Sequence, residues 1–305
     1  MRVLAIDGGG IRGLIPALVL TEIERRSDRR IFELFDLIAG TSTGGILACA
    51  LCAPEPLPAL EVVKIYEEEG PEIFSISLAQ RIRSAGGLLD EKYDSAALDR
   101  SLARFLADKR LKDARPDLLV PAYDTAEPGP YFFKSMKARE TPATDDFPLS
   151  VVARATSSAP TYFEPLEAGP RSLVDGGVFA VNPAMSAFAE VVRHHPEAED
   201  EIVLLSLGTG QRTRKRPFDH LKDWGLVEWA RPILDVVFDG ISDAVDYQLR
   251  HALPEDAYWR LQTELVGASD DLDDASPDNL TALRSLGEAL IAERSADLDA
   301  VIAKL

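Results

Sequence analysis

Cysteine is scarce in this 305-residue chain, with only Cys49 and Cys52 present, so a disulfide framework is excluded. Their C-x-x-C spacing matches a thiol-redox pair or half a zinc site. No second pair exists, however, and the neighbours Ala50 and Leu51 are apolar, so the two read as small core residues of a buried helix. Basic residues are outnumbered, 33 against 51 acidic, leaving a net charge of −18. That excludes broad nucleic-acid binding, which needs clustered Lys and Arg, and tight whole-surface attraction to anionic membranes. A local apolar or basic patch is still free to touch a bilayer. Also missing is any uninterrupted apolar run of membrane-spanning length. The first apolar run is short, is followed at once by Asp7 and passes directly into glycines, unlike a secretory leader. The expectation is a soluble cytoplasmic protein with at most peripheral membrane association.

What is present is ordinary globular composition, 46% hydrophobic and 28% charged, in a length that suits one α/β unit. Arg2 to Ile6 and Phe35 to Ala39 read as short buried strands. Each runs into a glycine turn and then a helical pattern, which predicts a mostly parallel central sheet covered by helices on both faces. The basic cluster Arg25, Arg26, Arg29 and Arg30 suits a helix C-terminus. Helices are expected over about Ile46–Leu51, Leu60–Glu69, Ser95–Ala107, Leu149–Ser157 and Trp224–Ala252, after Asn182-Pro183, and from about Leu280. Further strands are expected at Leu118–Tyr123, Tyr131–Lys134, Leu173-Val174, Ile202–Leu207 and Tyr258–Leu265. The looser segment Gly70 to Asp90 is a candidate lid. Phe74, Ile76, Leu78 and the cluster Tyr131-Phe132-Phe133 are candidates for acyl-chain or interface contact, with core packing as the plain alternative.

The strongest chemical signal is Gly40-Thr41-Ser42-Thr43-Gly44, a G-x-S-x-G between a strand and a helix. A serine there sits on a tight turn, exposed above the sheet edge, with a helix N-terminus beside it to favour developing negative charge. A serine hydroxyl needs a base. The four histidines, His194, His195, His220 and His251, lie at helix ends or in the late helical region, and none lies in a strand-end turn. Asp175 does: it closes an apolar strand, precedes Gly176 and Gly177, and in a parallel arrangement would reach the same edge as Ser42. The third part is Asp7-Gly8-Gly9-Gly10-Ile11-Arg12-Gly13, whose glycines leave backbone amides open to an oxyanion, with Arg12 adding positive potential. The same stretch satisfies G-x-G-x-x-G, and Asp28 stands at about the distance of a ribose-binding acid, but in a charged helix end. A nicotinamide-binding oxidoreductase and a catalytically silent binding module are therefore the rival readings.

Together DGGGIRG, GTSTGG and DGG resemble the patatin-like phospholipase family. The segments Ala155–Pro165 (ATSSAPTYFEP), Asn182-Pro183 and Leu205–Gly210 (LSLGTG) resemble it as well. The resemblance implies a three-layer αβα fold in one domain over 1–305, with a catalytic core over about 1–210 and a helical C-terminal extension over about 211–305. It implies lipid acyl ester hydrolysis by a Ser42–Asp175 dyad, an oxyanion hole at Gly8, Gly9 and Gly10 beside Arg12, and motif support from Gly40, Gly44, Gly176 and Gly177. No metal or cofactor is implied, and the acidic run Asp270 to Asp274 lacks the spacing and glycine of a calcium loop, reading instead as a solvated connector. Expected partners are membrane phospholipid or another lipid ester, met in transient contact with the membrane surface. Some bacterial relatives resemble anti-phage effectors switched by a cyclic dinucleotide. Candidate contacts for such an activator are Arg212, Arg214, Lys215 and Arg216, or Tyr247 and Arg250.

Overall fold

The computed structural model describes residues 1–74, 93, 95–213, 215–229 and 232–305. Among the described residues eight strands form one sheet, mostly parallel. They are β1 (Arg2–Ile6), β2 (Leu37–Gly40), β3 (Asp117–Asp124), β4 (Gly129–Lys134), β5 (Leu166–Ala168), β6 (Arg171–Asp175), β7 (Val203–Leu207) and β8 (Tyr258–Leu261). The helices used below are α1 (Leu14–Ser27), α2 (Thr43–Cys52), α3 (Ala59–Ile73), α4 (Ala96–Leu106), α5 (Leu149–Thr156), α6 (Ala184–His194), α7 (Pro232–Ala252) and α8 (Pro277–Glu293). The expected strands and helices among the described residues form with ends displaced by a few residues, except that the helix expected over Trp224–Ala252 is described as two, Leu226–Trp229 and Pro232–Ala252.

Period-two alternation along the strands divides the core in two. Leu4 and Ile6 of β1 with Ile38, Leu118 and Val120 face a large cluster under α1, α2 and α8. Val3, Ala5, Leu37, Ala39 and Leu119 face a smaller cluster under α6. The second face carries small residues on both sides, including Ala184 and Ala187. α1 stops where Asp28 turns left-handed at φ 51°, with Arg25 and Arg26 in its last turn bonded to Glu22. The basic cluster is thus structural. Cys49 and Cys52 are free and buried, and burial pushes both thiols up, so neither is primed for redox work. Residues after 210 are not appended to the core: β8 extends the sheet beside β7, and Gly287 of α8 lies close enough to Leu18 of α1 that a Cβ there would crowd it.

The sheet departs from the expected parallel arrangement where it matters most. β6 pairs with β3 antiparallel, Ala122 opposite Asp175. A strand has two hydrogen-bonding edges, and β4 occupies one edge of β3 from Leu119 to Asp124. The other edge therefore serves β2 at Asp117 to Leu119 and then β6 at Ala122 to Asp124. β2 and β6 approach head to head along it. Continuing the β2–β3 register past Ala39 opposite Leu119 brings Ser42 level with Ala122, whose partner is Asp175. Opposed strands, not parallel ones, bring the two residues together.

Candidate active site

Ser42 links β2 to α2 with φ 54° and ψ −123°, a left-handed backbone that a side-chain-bearing residue adopts only under constraint. The constraint is visible. Its amide donates to Thr156 Oγ1 at 2.9 Å, and that hydroxyl donates to the Pro121 carbonyl at 2.6 Å. Gly40 and Gly44 allow the turn to close: a Cβ on Gly40 would strike the Gly44 carbonyl, and one on Gly44 the Ile6 carbonyl. Ser42 is a hydrogen-bonding neighbour of the Asp175 carboxyl and draws its pKa down. Asp175 also accepts the Gly177 amide through Oδ1 at 2.7 Å. It is 2% exposed, and burial pushes its pKa up to about 7, against the opposing pull of those two hydrogen bonds.

The glycine loop faces the same place, since Gly8, Gly9 and Gly10 line the cleft that holds Ser42 and Asp175. Their amides differ. Gly8 donates to the Val181 carbonyl at 2.9 Å, whereas among the described residues those of Gly9 and Gly10 have no hydrogen-bond acceptor. Gly10 is held at φ 59° against the Leu272 carbonyl, which also accepts the Ile11 amide at 2.9 Å. The acidic run is therefore no free connector, because its Leu272 closes over the glycine loop and lines the cleft. Thr209 supports the loop from the other side, donating to the Gly8 carbonyl at 2.8 Å. With these two residues packed against the loop and Asp28 capping α1, the dinucleotide reading loses its open phosphate cradle and its strand-tip acid.

Arg12 lies behind the loop, buried, with Nε bonded to the Gly9 carbonyl at 3.2 Å. Burial and the nearby Arg212 push its pKa down to about 10, which still leaves it charged at neutral pH. Asp7 is clamped by Arg260, through Oδ1 at 2.9 Å and Oδ2 at 2.5 Å, and Ser242 of α7 reaches the same carboxylate at 3.3 Å. The cleft beyond Ser42 is walled by apolar side chains, among them Val62 and Tyr66 of α3, Leu98 and Leu102 of α4 and Phe238 of α7. Tyr66 is tied by its hydroxyl to Thr43, the residue after the serine.

Several expected residues stand elsewhere. Phe74 lines the cleft, while Ile76, Leu78 and most of the lid segment lie outside the described residues. Tyr131, Phe132 and Phe133 do not line it: Phe133 is core against Phe147 at 5.2 Å, Tyr131 lies under Arg171, and Phe132 meets Phe179. None of the histidines lines it. His194 and His195 lie beside Glu190 and Glu197, and His251 bonds the Tyr247 carbonyl. Of the basic loop, Arg212 and Arg216 both pair with Asp235 of α7, and Arg214 lies outside the described residues. Arg250 pairs with Asp246 and Tyr247 stacks on His251. Thr156, Thr209, Phe238 and Leu272 escaped sequence reasoning. Only Thr156 and Thr209 carried a signal, as members of the segments ATSSAPTYFEP and LSLGTG.

The strained serine turn, the strand-end aspartate and the glycine loop thus meet around one apolar cleft of an α/β fold. The model of the patatin-like phospholipase family matches residues 4–188, and the chain belongs to that family. It is 33% identical to Patatin-like protein 2 of Arabidopsis thaliana, covering 95% of this chain and 83% of the relative. It is 31% identical to Patatin-like protein 1 of Oryza sativa subsp. indica, covering 96% and 82%. It is also 29% identical to a Solanum tuberosum protein named "Probable inactive patatin-3-Kuras 1", covering 95% and 86%. Among solved structures, VipD from Legionella pneumophila overlays with a TM-score of 0.48 at 11% identity, covering 96% of this chain and 66% of that one. Because one relative is named inactive, activity has to be argued from this chain's own residues. No described helix is long and apolar enough to cross a membrane.

Proposed function

We propose that this protein hydrolyses fatty-acyl esters of lipids, with Ser42 as nucleophile and Asp175 as its base. The observation that carries the reading is a serine beside a buried carboxyl of pKa about 7, both in the lining of one apolar cleft. An ordinary aspartate, near 3.9, is too weak a base for a serine at neutral pH, and burial removes that mismatch. In the proposed first step Asp175 takes the Ser42 proton while Oγ bonds to the ester carbonyl carbon. The carbonyl oxygen becomes an oxyanion, for which the amides of Gly9 and Gly10 are the available donors. Asp175 then returns the proton to the departing alcohol oxygen as the ester bond breaks. Water attacks the acyl-serine with Asp175 again taking the proton, and as the acyl–Oγ bond breaks Asp175 returns that proton to Ser42 Oγ and the fatty acid leaves. The apolar walls formed by α3 and α4 suit the acyl chain.

The test is turnover of a chromogenic medium-chain ester and of a bacterial lipid extract, read by product mass spectrometry, with wild type, Ser42→Ala and Asp175→Asn. Loss of both activities in both variants supports the dyad, and turnover equal to wild type in Ser42→Ala overturns it. Repeating the assay with a panel of cyclic dinucleotides tests the activator reading, which equal rates with and without them would sink.

A further inference from the structure

β7 lies beside β1 in parallel register, with Leu207 opposite Ile6, and the ladder runs one bond further, from the Asp7 amide to the Leu207 carbonyl at 3.0 Å. Two residues past that pair stand Gly8, which opens the glycine loop, and Thr209, in a second glycine turn, Gly208-Thr209-Gly210. We propose that Thr209 is a positioning residue for the oxyanion hole: it turns the Gly8–Gly9 peptide so that the Gly9 amide faces the cleft. The proposal rests on the reading of the cleft as a lipid acyl hydrolase site.

A peptide unit is planar and trans, so its carbonyl oxygen and its amide hydrogen point in opposite directions. Holding one therefore aims the other. The Gly8 carbonyl accepts the Thr209 hydroxyl at 2.8 Å, and the N–H on the far side of that same plane is the Gly9 amide. The Gly9 carbonyl accepts both the amide and Nε of Arg12, each at 3.2 Å, which aims the Gly10 amide away from Arg12. Thr209 and Arg12 stand on one side of the loop: with Gly8 they line a small polar pocket, and neither lines the cleft that holds Ser42 and Asp175. Gly9 and Gly10 line the cleft and not that pocket. Both amides, which have no acceptor among the described residues, thus emerge on the side where an ester carbonyl oxygen would gather charge. The Asp7–Gly8 plane is set differently, because its N–H is held by the Val181 carbonyl at 2.9 Å.

Threonine suits this position. Its side chain is 3% exposed and packs against Gly9, where an added Cβ would strike Oγ1, Cβ and Cγ2 of Thr209. Branching at Cβ restricts χ1, so the hydroxyl stays on the Gly8 carbonyl instead of rotating away. The turn that presents it is fixed by distant chain. The Gly208 amide donates to the Leu261 carbonyl at 2.9 Å, the Gly210 amide to Gln262 Oε1 at 2.8 Å, and the Gln211 amide to the Thr263 carbonyl at 2.7 Å. β8 and the residues after it therefore reach the glycine loop through Thr209.

The experiment measures hydrolysis of a soluble short-chain ester by wild type, Ser42→Ala, Thr209→Val and Thr209→Ser. Removing one oxyanion donor outright costs about 10²–10³ in kcat. Thr209→Val leaves the Gly9 amide in place but untethered, so it should lower kcat about tenfold to a hundredfold with KM within about twofold. Thr209→Ser restores the donor and should return kcat to within about threefold of wild type. A trifluoromethyl ketone that adds to Ser42 places an oxyanion in the hole, and its affinity should fall in Thr209→Val by the same factor as kcat/KM. Wild-type kcat in Thr209→Val, or a loss that Thr209→Ser does not recover, overturns the proposal. A second measurement needs no variant. In wild type labelled at glycine, the fluoroketone should move the Gly9 amide proton downfield and leave that of Gly8, and an unmoved Gly9 amide overturns the proposal as well. Turnover by Ser42→Ala equal to wild type would remove the hydrolase reading and the positioning role with it. Loss of turnover in Ser42→Ala beside full activity in Thr209→Val would remove the positioning role alone.

Discussion

Asp7 and Asp175 each stand at the end of a strand of the same sheet, each is 2% exposed, and their surroundings differ in kind. Asp7 meets a guanidinium in two hydrogen bonds and a serine hydroxyl, which oppose the upward push of burial on its pKa without cancelling it. Asp175 meets one hydroxyl and one amide and no cation, and its proton affinity rises to about 7. The first arrangement suits holding β1, β8 and α7 together. The second leaves a carboxyl that titrates near neutrality beside Ser42, as the proposed base role requires. Burial raises the pKa of both carboxyls, and the difference between them is the cation that opposes it at Asp7 alone.

The largest effect expected on this comparison is catalytic. Ser42→Ala and Asp175→Asn should each lower kcat for a soluble ester by roughly 10⁴-fold, as loss of a member of such a unit does, with circular dichroism unchanged. Arg260→Met should leave the Asp7 charge buried and unmatched, at a cost of about 3–5 kcal/mol in urea unfolding. The double variant Asp7→Asn/Arg260→Met should recover much of that loss, and equal destabilisation of single and double variants would remove the charge-matching account. Asp175→Asn should act in the opposite direction on stability. The folded pKa of Asp175 lies above its unfolded value, so the native state binds the extra proton and wild type loses stability as pH rises from about 4 to about 7. The asparagine variant should therefore match wild type near pH 4 and exceed it at pH 8, by up to about 4 kcal/mol for a shift of about three units. Below pH 7, wild-type kcat/KM should fall as the base is protonated. The smallest effect is expected at Thr156→Val, which strands the Ser42 amide and should cost about 1–3 kcal/mol of stability together with part of kcat.

Much of this was legible in sequence because it depends on local chemistry. A strand followed by G-x-S-x-G reads as a nucleophile turn because only glycines admit the contacts at Gly40 and Gly44. Asp175 stood out because it closes an apolar run. What sequence reasoning missed was contributed by distant chain. Leu272 was hidden in an acidic run whose composition signals solvent, yet its carbonyl meets the Ile11 amide. Phe238 looked like any apolar residue of a long helix, and the aromatic run Tyr131 to Phe133 looked like an acyl site but is spent on core and on Arg171. The three loop glycines read as equivalent in sequence, but the Gly8 amide is already bonded to Val181.

By itself the sequence determined which residues can do chemistry, since a strained turn, a glycine loop and a strand-end acid are dictated by backbone sterics and side-chain type within a few positions. Tertiary structure alone decided how Ser42 and Asp175 meet. The meeting depends on β4 filling one edge of β3, so that β2 and the antiparallel β6 must share the other and face each other across it. Strand pairing of that kind is a competition for hydrogen-bonding edges among segments far apart in the chain, and no local pattern records its outcome.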